Sequence, residues 1–402
     1  MAKKNNKKGG TNAGTEDFTV DLISSLNREH GTRVAYNLAY DESPTHVKRW
    51  ISTGSRQLDY IIANRVNGGL PEGRIVEIFG PPSIGKSHIA IQIARSTQQM
   101  GGIVVYIDTE NATSVENLGL LGVDIEKRFV YVDTHCTEEV LSIAEATIMK
   151  AKAMDKDVPI TIIWDSVAAS SPKAELVGDY DKETIGLQAR AISKGMRKIT
   201  GVIANQNVLF VILNQTRTKI GVMYGDPTTT PGGKAIPFHS SVRIKLGAGQ
   251  QITNKDKEVI GIHVSAKTIK NKVAPPFRLV NFEIHFGVGI KEHEQIFDVL
   301  RKHGPEIIDG KEILISGTGA WKQLRIVDAE TGEVLIEQKF YKHDFDSIIK
   351  DTTYAHYVDA LLEKAYVRQN FGSDEMDIDA ESYEEIRTIA MELGDDVISP
   401  EE

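Results

Sequence analysis

The sequence predicts an α/β fold built on a mostly parallel central sheet. Three observations carry that prediction. Short apolar runs recur without internal alternation, as in strands covered on both faces; stretches of helical period separate them; and a glycine-rich turn sits at one strand-to-helix junction.

Taken in order, MAKKNNKKGGTNAG carries four lysines with no apolar run behind them. Residues 1–16 are therefore expected to be a disordered Lys-rich arm rather than a signal peptide or membrane anchor. From Asp17 to Glu29, Phe18, Leu22 and Leu26 fall at i, i+4 and i+8, the stripe of an amphipathic helix small enough to dock on something else. Residues 17–50 are assigned to an N-terminal oligomerisation segment.

Gly73 to Phe79 (GRIVEIF) reads as a buried strand, and Ser87 to Met100 as a helix with Ile89, Ala90, Ile93 and Ala94 on one side. Ile103–Ile107 and Phe129–Val132 are the next strands. Thr137 to Met154 is a helix with Val140, Ile143, Ala144, Thr147 and Ile148 inward, and Glu138 and Glu139 suit its positive N-terminal end. Ile160–Trp164 and Val208–Leu213 complete the continuous apolar runs. Beyond Ser240 the strands VRIKL, VIGIHVSA and LVNFEIHF leave little room for helices, which predicts antiparallel additions at one end of the sheet. The core is placed at 51–290, a smaller C-terminal α/β or helical domain at 291–372, and an acidic tail at 373–402.

The net charge of -9 is unevenly distributed. Residues 373–402 hold twelve acids against Arg387, or -11, so the other 372 residues carry +2. The overall acidity therefore does not exclude a nucleic-acid partner. The tail reads as a solvated like-charge block, or as a polyanion that competes with DNA phosphates for basic loops. The single cysteine, Cys136, allows no internal disulfide and reads as a buried apolar thiol, so the composition suits a reducing cytoplasm. No stretch approaches the length of a membrane-spanning helix.

The sharpest local signal is GPPSIGKS: Gly80, Pro81, Pro82, Ser83, Ile84, Gly85, Lys86 and Ser87. It fits G-x-x-x-x-G-K-[ST] between a strand and a helix. Backbone N–H groups and the helix N-terminus can face a phosphate there, Lys86 can reach terminal phosphates, and the Ser87 hydroxyl can bind Mg²⁺. Asp165, after the strand TIIW, suits the Mg²⁺ shell, with helix capping as the competing explanation. Glu110 in IDTEN can orient a water, and Gln215 at the end of NVLFVILNQ can sense a terminal phosphate. Polar residues at strand ends are commonplace, so spacing alone leaves both undecided.

Over Ile51 to about Gly289 the motifs ISTGS, GGLPEGRIVEIFGP, IDTENA, LGVDIE, WDSVAAS, GLQAR, LNQTRTKIGVMYGDPTTTPGGKA, FHSSVR and KNKVAPPF resemble bacterial RecA in order. The resemblance implies a RecA-type P-loop ATPase core that binds ATP and Mg²⁺. It implies a homo-oligomeric helical filament on single-stranded DNA, homologous pairing with double-stranded DNA, and strand exchange in recombination and repair. Possible further partners are a single-strand-binding protein and a loader. By position it makes Glu110 the catalytic glutamate, Asp165 the Mg²⁺-site aspartate and Gln215 the coupling glutamine. Lys270 and Lys272 become cations that complete a neighbour's site. The DNA contacts it implies are two loops, from about Ala174 to Thr184 and from Thr216 to Lys234. The second holds Arg217 and Lys219 for phosphates, Ile220, Val222, Met223 and Tyr224 to wedge or stack between bases, and Gly232 and Gly233 as hinges. Arg190 and Arg243 fit either DNA-backbone contacts or core ion pairs.

The chain departs from the family pattern at Ser114 and Asn117 around the adenine, and at Thr228 and Pro237 between the second loop and the subunit interface. GAWKQLRIVDAETGE, FYKHDF and LLEKAYV resemble the C-terminal portion of RecA-like recombinases of large tailed phages, which implies a phage-encoded protein with a bacterial-type core. Two rival readings are a ring-forming helicase of the same fold and a non-enzymatic coat or mediator of single strands. KIGVMYG followed by PGGKAIPF argues against the first, and intact Lys86, Ser87, Glu110 and Asp165 against the second.

Overall fold

The computed structural model describes residues 13–41, 43, 45–178, 186–218, 228–317, 319–341 and 344–367. The chain forms two compact units that divide between Lys48 and Arg49. The first contains α1 (Ala13–His30), which starts four residues before the expected helix. Residues 13–16 are thus helical rather than part of the arm, whose residues 1–12 lie outside the described ones; α1 leaves Phe18 68% and Leu22 46% exposed. After it, Asn27 Oδ1 accepts from the backbone N–H groups of Val34 and Ala35 and folds that segment back on the helix end.

The second unit opens with α2 (Arg56–Ala63) between the paired strands β1 (Trp50–Ile51) and β2 (Leu70–Pro71). Then come β3 (Ile75–Gly80), α3 (Lys86–Gln99), β4 (Ile103–Asp108), α4 (Val115–Leu120), β5 (Phe129–Asp133), α5 (Thr137–Met154) and β6 (Ile160–Asp165). They are followed by α6 (Lys173–Leu176), α7 (Leu187–Asn205), β7 (Val208–Gln215) and a short pair, β8 (Arg217–Thr218) with β9 (Thr228–Thr229). Next are α8 (Ala235–His239), β10 (Val242–Thr253), β11 (Val259–Asn271), β12 (Leu279–His285) and β13 (Gly289–Lys291). The remainder is α9 (His293–His303), β14 (Glu306–Ile308), β15 (Lys311–Ser316), β16 (Trp321–Asp328), β17 (Val334–Tyr341), α10 (Phe345–Lys350) and α11 (Thr352–Tyr366).

Nine strands form one sheet in the order β13-β12-β11-β10-β3-β7-β6-β4-β5. The six from β10 to β5 run parallel, and β11 to β13 add antiparallel at one end, as the crowded strand spacing predicts. The apolar runs are buried on both faces because successive side chains alternate. Val76, Ile78, Leu209, Val211, Leu213 and Ile163 pack with α2 and α3, whereas Ile75, Val208, Phe210, Ile212, Ile162 and Trp164 pack with α5 and α7. Along α5 the expected inward residues Ile143 and Thr147 are only half-buried, and Leu141 is buried in their place. Among the described residues, no helix is long and apolar enough to cross a membrane.

One polar residue interrupts the buried strand β3. Glu77 is fully buried; its carboxylate takes Arg243 Nε at 2.5 Å and Asn214 Nδ2 at 3.1 Å, and Asn214 also donates to the Pro231 carbonyl at 3.0 Å. A charge so placed is tolerated only when paired and hydrogen-bonded. Arg243 is thus a core ion pair, its guanidinium lying 4.8 Å from the centre of the Phe79 ring.

Residues 293–367 gather a further core in which β14 to β17 make an antiparallel meander, covered on one face by helices. Phe297, Phe340 and Phe345 meet there, with Phe297 edge-on to Phe345 at 5.3 Å. Tyr60 of α2 joins that core and stacks on Tyr366 at 5.9 Å. Glu292 ties the same region to α2, accepting from Ser55 Oγ and the Arg56 N–H, both at 2.6 Å, and so supplying the free N–H groups of the helix start with an acceptor.

Asp59, nearby and buried, accepts from Ser52 Oγ and from the N–H and Oγ1 of Thr53. Burial pushes its pKa up to about 7, with the Glu292 carboxylate adding to the rise. The folded state therefore holds this proton more tightly than the unfolded chain, whose carboxyl titrates near 3.8. Its contribution to stability is complete below that value and is lost as the pH rises through about 7. The melting temperature should fall as the pH rises from about 4 to about 7, and Asp59→Asn should flatten that fall. An unaltered slope in thermal melts of the variant would refute this assignment.

Candidate nucleotide site and DNA groove

The phosphate loop lies where β3 ends and α3 begins. Gly85 takes φ +93, a conformation that favours glycine, and a Cβ there would also press on the Ile284 side chain. Ile84 is buried and anchors the loop. Lys86 Nζ donates to the carbonyls of Gly80 (3.2 Å) and Pro81 (2.6 Å). Burial pushes its pKa down, while the carboxylates of Asp165 and Glu110 pull it up.

The C-terminal ends of four parallel strands converge here, the usual place for a ligand in an open α/β sheet. Asp165, ending β6, accepts from Tyr106 Oη at 2.6 Å, and burial raises its pKa while Tyr106 and the nearby Ser87 hydroxyl pull it down. Glu110, after β4, takes Ser166 Oγ and Gln215 Nε2 on the same oxygen, the latter at 3.1 Å. Lys86, Ser87, Glu110, Asp165 and Gln215 thus form one connected cluster.

Three residues that support this cluster escape a reading of the sequence. Asp108 accepts from the N–H groups of Glu110 (2.9 Å), Ala112 (3.2 Å) and Thr113 (3.0 Å) and so folds the turn that carries Glu110; an aspartate heading a polar run is the available signal. Ser166 and Tyr106 complete the set. Ser114 caps α4, accepting from the Asn117 N–H at 3.0 Å.

Lys270 and Lys272 do not join this cluster. In register, Lys270 faces Arg243 and Arg243 faces Glu77, three residues before Gly80 and on the opposite side from the loop. At 3.3 Å per residue and about 4.8 Å per strand, Lys270 starts roughly 14 Å from Gly80. Its Nζ donates to the carbonyls of Pro237 (2.6 Å) and Phe238 (3.0 Å) of α8.

A separate basic groove of about 360 Å³ is lined by Ala189, Arg190, Ser193, Arg197, Lys234 and Ala235. Arg190, Ser193 and Arg197 fall at i, i+3 and i+7 on α7, and Arg197 donates to Ser193 Oγ at 3.1 Å. Beside it Gly232 and Gly233 take φ +91 and +71. Cβ atoms there would stand 2.8 Å from Ile236 Cδ1 and 2.9 Å from the Ala189 Cβ, so tight packing demands glycine at positions expected to be hinges. Arg217 is exposed on β8. Lys219, Ile220, Val222, Met223 and Tyr224, most of the first loop beyond Gly178, and the acidic tail lie outside the described residues.

The sequence profile of the RecA N-terminal domain matches residues 20–291, about two thirds of the chain. This chain belongs to the RecA family. Protein RecA of Chlorobaculum parvum is 40% identical over 299 residues, covering 74% of this chain and 80% of its own length. Protein RecA of Geobacter sulfurreducens is 38% identical over 300 residues, 74% and 82% of the two chains. That of Staphylococcus aureus is 41% identical over 248 residues, 62% and 68%. As a RecA-family recombinase the chain acts in ATP-dependent DNA recombination and repair, hydrolyses ATP in a DNA-dependent manner, binds single- and double-stranded DNA, and forms filaments.

Proposed function

We propose that the chain polymerises head to tail on single-stranded DNA, pairs that strand with a homologous duplex, and exchanges strands under the control of ATP held between protomers. The hydrogen bond from Gln215 to Glu110 carries the proposal. It ties the group poised to orient the attacking water to the strand that leads, two residues on, into Arg217 and the second DNA loop. A terminal phosphate that draws on Gln215 and Glu110 would reorder that loop, and hydrolysis would reverse the change.

Mg²⁺ fits the residues present. Ser87 and Asp165 offer one hydroxyl and one carboxylate close to each other, hard oxygen donors that leave the rest of a shell to phosphate oxygens and water. Held by Ser87 and Asp165, the ion would supply positive charge to offset that developing on the phosphoryl group. Gly80 to Ser87 would cradle the phosphates, and Lys86 would swing from its loop carbonyls to the terminal phosphate. Glu110 would accept the water's proton. Lys270 and Lys272, lying away from their own loop, would serve the adjoining protomer.

Residues 13–50 would link protomers through exposed Phe18 and Leu22, a heterologous contact that need not close into a ring. The arm at 1–12, the core at 51–290, the C-terminal domain at 291–372 and the tail at 373–402 complete the organisation. A single-strand-binding protein and a loader would assist in the bacterial cytoplasm, or in that of an infected host if the chain is phage-encoded.

The groove of Arg190, Arg197 and Lys234 offers cations to the DNA backbone without reading bases. Arg197→Ala should weaken single-strand binding equally across sequences and lessen the slope of log K against log salt by about 0.7, the loss of one phosphate contact. An unchanged slope in fluorescence-anisotropy titrations would place the DNA elsewhere. The whole reading is tested by strand exchange with ATP and Mg²⁺, one single strand being offered a homologous and a heterologous duplex. Joint molecules with the homologous duplex alone are expected, and opening irrespective of homology would make the protein a helicase.

A further inference from the structure

Tyr106 stands in the middle of the apolar strand β4, fully buried, its ring 6.3 Å from that of Phe129. Phenylalanine would fill the same space, so packing does not account for the hydroxyl. That hydroxyl donates to Asp165 Oδ2 at 2.6 Å. Its only proton is thereby used, and what it can still do is accept. Thr113 donates its backbone N–H to Asp108 Oδ2 at 3.0 Å, and its hydroxyl lowers the pKa of both Tyr106 and Asp108, which sets it beside the two. Asp108 in turn holds the N–H groups of Glu110, Ala112 and Thr113. Tyr106 thus stands between the Asp165 carboxylate that it holds and Thr113, whose backbone is fixed by Asp108 in the turn that carries Glu110.

We propose that Tyr106 is a positioning residue that fixes the Asp165 carboxylate toward the Mg²⁺-nucleotide and, through Thr113, couples it to the turn bearing Glu110. A carboxylate on a strand end can rotate about two bonds; a short bond to a buried phenol holds one oxygen in place and leaves the other to a ligand. The inference rests on the assignment of Ser87 and Asp165 to Mg²⁺ proposed above.

The test is a Mg²⁺ titration of the binding of a fluorescent ATP analogue to the full chain, alongside steady-state turnover. Tyr106→Phe should raise the half-saturating Mg²⁺ about tenfold, while KM for ATP at saturating Mg²⁺ changes by less than about twofold. Thr113→Val should shift it in the same direction by about threefold, and Thr113→Ser, which keeps the hydroxyl, should restore the wild-type dependence. Circular-dichroism melts establish that each variant is folded; should Tyr106→Phe not fold, the half-buried Thr113 pair keeps the comparison available. A folded Tyr106→Phe protein with unchanged Mg²⁺ half-saturation, whether or not turnover falls, overturns the positioning role. A shift in Tyr106→Phe with none in Thr113→Val overturns the coupling to the Glu110 turn. Nucleotide binding by the wild type that ignores Mg²⁺ would instead remove the underlying assignment of the metal.

Discussion

Lys86→Ala is expected to abolish ATP hydrolysis, lowering kcat by at least about 10²–10³-fold, because a preorganised cation aimed at the transferring phosphoryl group is among the largest single contributions to such a site. The geometry gives the reason. Lys86 Nζ is buried, feels the carboxylates of Asp165 and Glu110, and is held at the mouth of the loop by the carbonyls of Gly80 and Pro81. With the ammonium gone, two acids would face a polyanion with only the loop's N–H groups to offset them. The same variant should lose the nucleotide-dependent part of its DNA affinity, since no terminal phosphate would then be held near Gln215. ATP turnover with and without single-stranded DNA, read beside DNA binding with a slowly hydrolysed analogue, decides it. Unchanged turnover would remove the phosphate-loop argument altogether.

Much of this site was legible in the sequence because its parts are local or periodic. GPPSIGKS needs only its neighbours to be read, and the strands around it announce themselves by apolar runs that both faces of the sheet then bury. The parts that were not legible depend on partners far along the chain. Glu77 in GRIVEIF gives no sign that it pairs with Arg243, 166 residues later, so the two readings of Arg243 could not be separated. Glu292 caps a helix that begins 236 residues earlier. Tyr106 reads as one more core residue in IVVYID, because a hydroxyl's role is visible only when its acceptor is in place. The C-terminal domain was left between α/β and helical. Its meander alternates apolar and polar residues in short strands broken by turns, a weaker signal than a doubly buried run. On α5 a full apolar stripe was expected inward, but α7 packs to one side of its centre, favouring Leu141 over Ile143.

Lys270 and Lys272 offer the second large effect, and the one that separates a shared site from a self-contained one. Replacing both with alanine should lower DNA-stimulated turnover by about a thousandfold, the scale on which a cation supplied in trans acts, while leaving nucleotide binding by the isolated protomer measurable. Their place on the sheet argues for action in trans. Lys270 starts far from its own loop and is tied by its ammonium to the carbonyls of Pro237 and Phe238 on α8. Helix α8 follows directly on the second loop, so an ordering of that loop by DNA would move the carbonyls that hold this lysine. Burial, Lys272 and Arg243 all depress the Lys270 pKa, a repulsion that a neighbour's phosphates would relieve. Mixing supplies the decisive measurement. Lys86→Ala protomers keep intact lysines, and the double variant keeps an intact loop. In an equal mixture with random order, about a quarter of head-to-tail interfaces would join one to the other correctly and regain turnover. Completion in cis allows no such rescue, since every protomer in the mixture then lacks one half of its own site.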